Sequence, residues 1–226
     1  MTTIGVVIPV RNNGPLLAET LESVAAQTRP ASAVVVVDDG SDDGTLEAVR
    51  DDFPGVTWIR QEHRGTAAAR NRGAGATDCE ALLFLDADDL LRPGALAALG
   101  AALDADPDLE MVHGRVREFV DERTPPPPGM RHAESEVTAR IAGSTLIRRS
   151  LWERVGGMDE DRPRGEWIDW MSRALQAAPS ATEVGEVVLD RRLHAANKSA
   201  TATDRAPYLT SVVRAALLRK RGVAPT

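Results

Sequence analysis

Three carboxylates close an apolar run in Leu82-Leu83-Phe84-Leu85-Asp86-Ala87-Asp88-Asp89, and this junction is the strongest chemical signal in the chain. Setting acids against the end of a buried strand costs free energy unless a cation relieves it. Hard carboxylate oxygens suit Mg2+ or Mn2+, which bind through one or two acids together with waters and substrate phosphates. Such an ion would neutralise a diphosphate leaving group. The alternative is a solvated turn that caps a helix.

Other groups carry chemistry at comparable positions. Asp38 and Asp39 stand in Val-Val-Asp-Asp-Gly-Ser, where a carboxylate can accept a base N–H or a sugar hydroxyl, or can cap the helix that starts near Thr45. Arg70 lies in Gly65-Thr66-Ala67-Ala68-Ala69-Arg70-Asn71-Arg72-Gly73, a run of small residues that allows a ligand close approach. In Gly165-Glu166-Trp167-Ile168-Asp169-Trp170, Glu166 and Asp169 are about one helical turn apart and can share a face. Trp167 and Trp170 read either as a stacking platform or as core. His194 follows a strand pattern, and the neighbouring Arg191, Arg192 and Lys198 would neutralise phosphate or be solvated.

These groups need a scaffold. Ile4 to Val10, Val34 to Val37, Val56 to Arg60 and Leu82 to Leu85 read as strands. Helical patterns over Pro15 to Gln27, Thr45 to Asp52 and Gly65 to Gly75 separate them, with Pro15 suited to a helix start. This alternation predicts a mainly parallel sheet with helices on both faces, whose site lies outside the strand carboxyl ends. Four strand ends then converge: Pro9 to Asn12, Asp38 to Ser41, Gln61 to Gly65 and Asp86 to Asp89. Beyond them the pattern predicts a helix over Pro93 to Ala105 and strands over Glu110 to Val120, Thr138 to Arg148 and Val184 to Leu193. Further helices are expected over Leu151 to Val155, Gly165 to Ala177 and Pro207 to Arg221, and Thr124 to Gly129 is a proline-rich extended loop.

Composition narrows the function. A formal net charge of −7 argues against a nucleic-acid binder, which displays a basic face. The single cysteine, Cys79, rules out an intramolecular disulfide scaffold. The chain opens directly on a strand pattern with no signal-peptide features and has no run of about 18 apolar residues, so the expectation is a soluble cytoplasmic protein without a transmembrane segment. The basic residues Arg214, Arg219, Lys220 and Arg221 would make the last helix either a solvated end or a contact with an anionic membrane.

Four segments occur in the order and spacing of family-two glycosyltransferases with the GT-A fold: Val6 to Asn13, Val35 to Thr45, Gly65 to Gly73 and Phe84 to Asp89. The stretch Ile147 to Glu160 resembles that family's acceptor-side segment, and the likeness runs over roughly residues 4 to 195. The resemblance implies one GT-A domain over 1–203, with a donor half to about residue 90 and an acceptor half after it, followed by a helix and tail over 204–226.

It also implies transfer of a sugar from a nucleoside diphosphate donor, UDP-sugar favoured, to an unidentified hydroxyl acceptor, with inversion and one Mn2+ or Mg2+. Carried over by motif, Pro9, Val10 and Arg11 line the nucleoside pocket and Asp39 bonds the base. Arg70 contacts the nucleotide side of the donor, Asp86 lies near the ribose and metal-bound water, Ala87 beside it is a further substrate-binding residue, Asp88 coordinates the cation, and Asp89 is structural. His194 matches a segment that approaches metal or diphosphate in some relatives. Glu166 matches the acid that serves as general base, with Asp169 the alternative. The common second acid beside it is here Trp167, which keeps open a non-catalytic protein of the same fold that binds nucleotide sugars. A receiver-like signalling domain lacks its late strand-end lysine, and a phosphatase of the haloacid-dehalogenase type would carry Asp-x-Asp on its first strand.

Overall fold

The computed structural model describes residues 1–126, 136–162 and 164–195. In chain order the strands are β1 (Ile4–Val10), β2 (Ala33–Asp39), β3 (Thr57–Gln61), β4 (Ala81–Phe84), β5 (Leu90–Leu91), β6 (Met111–Val120), β7 (Val137–Thr138), β8 (Thr145–Arg148) and β9 (Ala181–Leu193). The helices are α1 (Gly14–Ala25), α2 (Thr45–Val49), α3 (Thr66–Ala74), α4 (Ala95–Ala105), α5 (Arg149–Val155) and α6 (Glu166–Gln176). The expected helix over 207–221, the tail, Lys198 and most of the proline run lie outside the described residues.

All the strands join one mixed sheet in the order β3-β2-β1-β4-β8-β6-β9-β5, with β7 paired to β6. β3, β2, β1 and β4 are mutually parallel. β8 enters antiparallel to both β4 and β6. β6 therefore runs in the direction of β4, β9 runs parallel to β6, and β5 pairs antiparallel with β9.

Every residue of β1 and β4 is buried, as expected of central parallel strands covered on both faces. Alternation along β1 divides the core in two. Ile4, Val6 and Ile8 pack with Leu17 and Leu21 of α1 and Leu96 and Leu99 of α4. Val7 faces the other way, with Leu82, Phe84 and the α5 and α6 residues Trp152, Trp167 and Trp170. A Cβ on Gly73 would stand 2.3 Å from Val7 Cγ1. That close approach explains the small residues of α3, which press the helix, and Arg70 with it, against the sheet.

Two expectations need correction. Thr138 to Arg148 is not one strand: a 3-10 turn at Ala142–Ser144 separates β7 from β8. There the Ser144 hydroxyl donates to the Ala139 carbonyl at 2.5 Å and the Thr145 hydroxyl to the Ile141 carbonyl at 2.9 Å. These side chains offer the backbone a local alternative to the ladder. The two-residue β5, too short to carry a periodicity, follows the acidic turn and was not anticipated.

Candidate active site

The acidic turn lies beyond β4. Asp89 N–H donates to the Asp86 carbonyl at 3.2 Å, closing the turn before β5. Ligand oxygens of Asp86, Asp88 and Asp89 lie within 4.8 Å of one another. Burial, then the charges of Asp88 and Asp86, push the Asp89 carboxyl well above the usual range. Three hard oxygen donors crowded this closely fit a divalent cation. Asp89 is buried and accepts the Arg192 N–H at 2.9 Å, which suits the structural role expected of it. Asp88 Oδ2 and His194 Nε2 are 2.8 Å apart, so the end of β9 meets the turn.

Arg192 is neither solvated nor directed at a phosphate. Its buried guanidinium donates to the Asp88 carbonyl at 2.8 Å, to Asp121 at 3.0 Å and to Glu19 at 2.5 Å. It thereby ties the acidic turn to α1 and to the loop after β6. Arg191 pairs with Glu118 at 2.7 Å.

Arg70 lies between the acidic turn and α6. It is 3% exposed, and its guanidinium donates to Asp86 Oδ1 at 2.5 Å and to Glu166 Oε1 at 2.9 Å. One side chain from α3 therefore joins the acidic turn to the first residue of α6. The neighbouring Asn71 holds the chain before α6: its Oδ1 accepts Met158 N–H at 2.8 Å, and its Nδ2 donates to the Met158 carbonyl and Glu160, each at 2.9 Å.

Asp39 is saturated. Its Oδ1 accepts from Gln61 Nε2 and Arg64 N–H, and its Oδ2 from Gly65 N–H and His63 Nδ1, all at 2.8 Å. Burial alone would raise this acid, but the Arg64 N–H, Gln61, His63 and the Gly65 N–H together hold it below the usual carboxylate range. Arg11 lies 3.2 Å from His63 Nε2. A guanidinium only donates, so Nε2 accepts and Nδ1–H is the donor to Asp39. Pro9 and Val10 are buried at the end of β1, Ala87 is buried in the core, and Arg11 is exposed.

The capping alternative belongs to neither Asp38 nor Asp39. Asp38 accepts from the backbone and hydroxyl of Ser41, at 2.9 and 2.5 Å, and Asp43 accepts the Thr45 N–H at 2.9 Å where α2 begins. Asn12 and Asp42 bond reciprocally, Asn12 Nδ2 to Asp42 Oδ1 at 2.9 Å and Asp42 N–H to Asn12 Oδ1 at 3.0 Å.

In α6 the two acids part company. Glu166 meets Arg70, whereas Asp169 is 2% exposed and ion-paired with Arg173 at 3.1 Å and Arg162 at 3.7 Å. The tryptophans are core and not a platform. Trp167 and Trp170 stack at 5.4 Å, and Trp170 stacks on Trp152 at the same separation. Their indole N–H groups donate to the Arg140 and Gly156 carbonyls at 2.7 and 2.9 Å.

Sequence reasoning named Arg70, Glu166 and the acids but missed His63, Asn71 and Asp121 as their supports. His63 lies in a strand-end segment already marked by charge. Asn71 acts through partners distant in sequence, and Asp121, though it also bonds the nearby Arg123, reaches the acidic turn only through the distant Arg192; neither long-range contact leaves a local signal.

The chain is similar to known proteins in sequence and in fold. The chain is 30% identical over 202 residues to glycosyltransferase AglE of Haloferax volcanii, covering 82% of this chain and 65% of that protein. It is 32% identical over 193 residues to the pre-mycofactocin glycosyltransferase of Mycobacterium tuberculosis, covering 77% of this chain and 39% of that one. It thus spans less than two thirds of either relative. Among solved structures, S. aureus TarS 1-349 in complex with UDP-GlcNAc matches with a TM-score of 0.75 at 19% identity, over 96% of this chain and 66% of that one. The mannosyltransferase PcManGT from Pyrobaculum calidifontis, in complex with GDP-Man and Mn2+, matches with a TM-score of 0.63 at 24% identity, over 95% and 61%. The expected GT-A-like arrangement of an α/β sheet with a mostly parallel core is therefore the observed one. Among the described residues no helix is long and apolar enough to cross a membrane. Residues 5–158 match the family model described as Glycosyl transferase family 2, and the chain belongs to that family.

Proposed function

We propose that this site transfers a sugar from a nucleoside diphosphate sugar to an acceptor hydroxyl with inversion, assisted by Mn2+ or Mg2+. The observation that carries this reading is the bridge from Asp86 through Arg70 to Glu166, which brings the expected donor side and the expected base side to one guanidinium. Asp88, with Asp86 beside it and His194 at 2.8 Å, would hold the cation. That ion, when bound, supplies positive charge to the departing diphosphate. Arg70 adds a fixed positive charge near the same oxygens.

Glu166 is the proposed general base. The acceptor oxygen attacks the anomeric carbon as the bond from that carbon to the diphosphate breaks, and the hydroxyl proton passes to Glu166. Arg70 orients the Glu166 carboxylate from behind. Asp169, spent on two arginines, anchors α6. Trp167, at the position where the family resemblance leads one to expect a second acid, is packed in the core.

The base pocket is built around Asp39, where a nucleobase N–H would take the place of the half-exposed His63. Pro9 and Val10 supply the floor, Ala87 the backbone near the ribose, and Arg11 the rim. UDP is the favoured nucleotide, supported by the UDP-GlcNAc complex of TarS, while the GDP-Man complex of the archaeal mannosyltransferase makes GDP the comparison to run.

Thermal unfolding with UDP or GDP, with and without Mn2+, tests the donor site. A metal-dependent rise in midpoint is expected with one nucleotide, lost in Asp88→Ala; no rise with either refutes the donor reading. Glu166→Gln is expected to abolish transfer and leave the nucleotide response intact. Retained transfer in that variant refutes the base assignment.

A further inference from the structure

A cleft of about 480 Å³ opens between β6, the β7 segment and the start of β9, lined by His113, Thr138, Arg140, Thr182 and Glu183 with Ala181. None of these residues takes part in the donor chemistry above. His113 is 3% exposed, and its Nδ1 is buried with no hydrogen-bond partner among the described residues. A ligand hydroxyl reaching that wall would give this nitrogen a partner. Burial, followed by the Arg140 charge, lowers the His113 ring below the ordinary histidine range, against the opposing pull of Glu183 and the Thr182 backbone; an uncharged imidazole offers one accepting and one donating nitrogen.

The rest of the lining is mixed in the same way. Arg140 is an exposed donor, and Glu183 is an exposed acceptor that takes the Thr138 hydroxyl at 2.6 Å and stands 3.9 Å from His113 Nε2. Opposite charges facing one small volume do not select an anion or a cation. They match a neutral group whose hydroxyls both donate and accept.

The position relates the cleft to the proposed reaction. Leu83 pairs with Leu146, and Thr145 with His113, so His113 is level with Phe84, two residues before Asp86. Two strand spacings separate them, roughly 10 Å. Met111 belongs to the cluster that holds Phe84 and Trp167, and His113, two residues on, lies on the same face. Trp167, next to Glu166 in the chain, donates to the Arg140 carbonyl at 2.7 Å. The cleft is thus fastened to the helix that presents Glu166.

We propose that this cleft is an acceptor subsite that binds a neutral sugar unit of the acceptor, displaced from the reacting hydroxyl, through His113, Arg140 and Glu183. This rests on the glycosyltransferase reading above.

The test uses the full chain and methyl glycosides of glucose, galactose, mannose and N-acetylglucosamine, with binding followed by saturation-transfer NMR and by the His113 ring nitrogen resonances. At least one glycoside is expected to bind and to move those resonances. Binding weakens about tenfold or more in Glu183→Gln and in Arg140→Ala. Both residues are exposed, and neither change removes the Arg140 carbonyl that holds Trp167, so folding is retained. The stabilisation by nucleotide and Mn2+ is unchanged in both variants. No binding of any glycoside, or equal binding in the wild type and both variants, overturns the subsite. Failure of the donor reading has a different signature: glycoside binding that depends on Glu183 and Arg140, with no response to nucleotide and metal.

Discussion

The donor half, up to the acidic turn, and the acceptor half after it fix their polar groups by different means. In the donor half, short loops at parallel strand ends bond to one another: Asn12 to Asp42, Asp38 to Ser41, and Asp39 to His63, Arg64 and Gly65. In the acceptor half, Glu166 is positioned by a packed helix. Its support is the tryptophan stack beneath α6, with Arg173 and Arg162 on Asp169. A site made of loop hydrogen bonds responds to protonation and local deletion, whereas one made of packing responds to volume.

The sharpest way to break this contrast is Trp170→Ala. Trp170 is fully buried, and truncation costs about 3–5 kcal/mol through lost burial and the cavity left behind. The urea midpoint should fall by a corresponding amount and transfer should vanish, while the nucleotide and Mn2+ response survives wherever the chain remains folded. Loss of that response in folded protein would mean that the donor site also depends on the aromatic stack.

A smaller effect is expected from Asn71→Ala, which removes the clamp between α3 and the Met158 to Glu160 segment. Loss of these hydrogen bonds costs about 1–2 kcal/mol. Transfer should fall more than nucleotide binding does, because the segment leads into α6. Equal losses in the two would place Asn71 in the donor half alone.

The smallest effect concerns Asp39. Its folded acid is held below the ordinary value of 3.8, so its contribution to stability is present above that value and is lost as pH falls through the lowered one. Asp39→Asn should therefore lower the urea midpoint at neutral pH and lie closer to the wild type in strong acid. A gap that stays constant over this range would mean that the four donors act by geometry and not by charge.

The same contrast governs what could be read in advance. β1 to β4 and their helices follow from apolar periodicity and turn residues, and each lies within a few residues of its expected place. Thr138 to Arg148 misled because hydroxyl bonds from Ser144 and Thr145 break a strand whose β-branched residues suggest continuity. Trp167 and Trp170 carry identical sequence signals whether they face a ligand or the core. Arg192 looks like a phosphate binder until Glu19 and Asp121 are brought to it.

By itself, the sequence determined the alternating elements, the acidic turn at the end of β4 and the membership of Arg70 and Glu166 in recognisable segments, because each of these is written within a dozen neighbouring residues. Tertiary structure alone decided that Arg70 reaches Glu166, 96 positions away, that His194 meets Asp88 across 106, and that Arg192 pairs with Glu19 across 173. Local patterns fix which face of an element is buried. Which distant side chain waits on the other side depends on the order of strands in the sheet, and here the antiparallel insertion of β8 set that order.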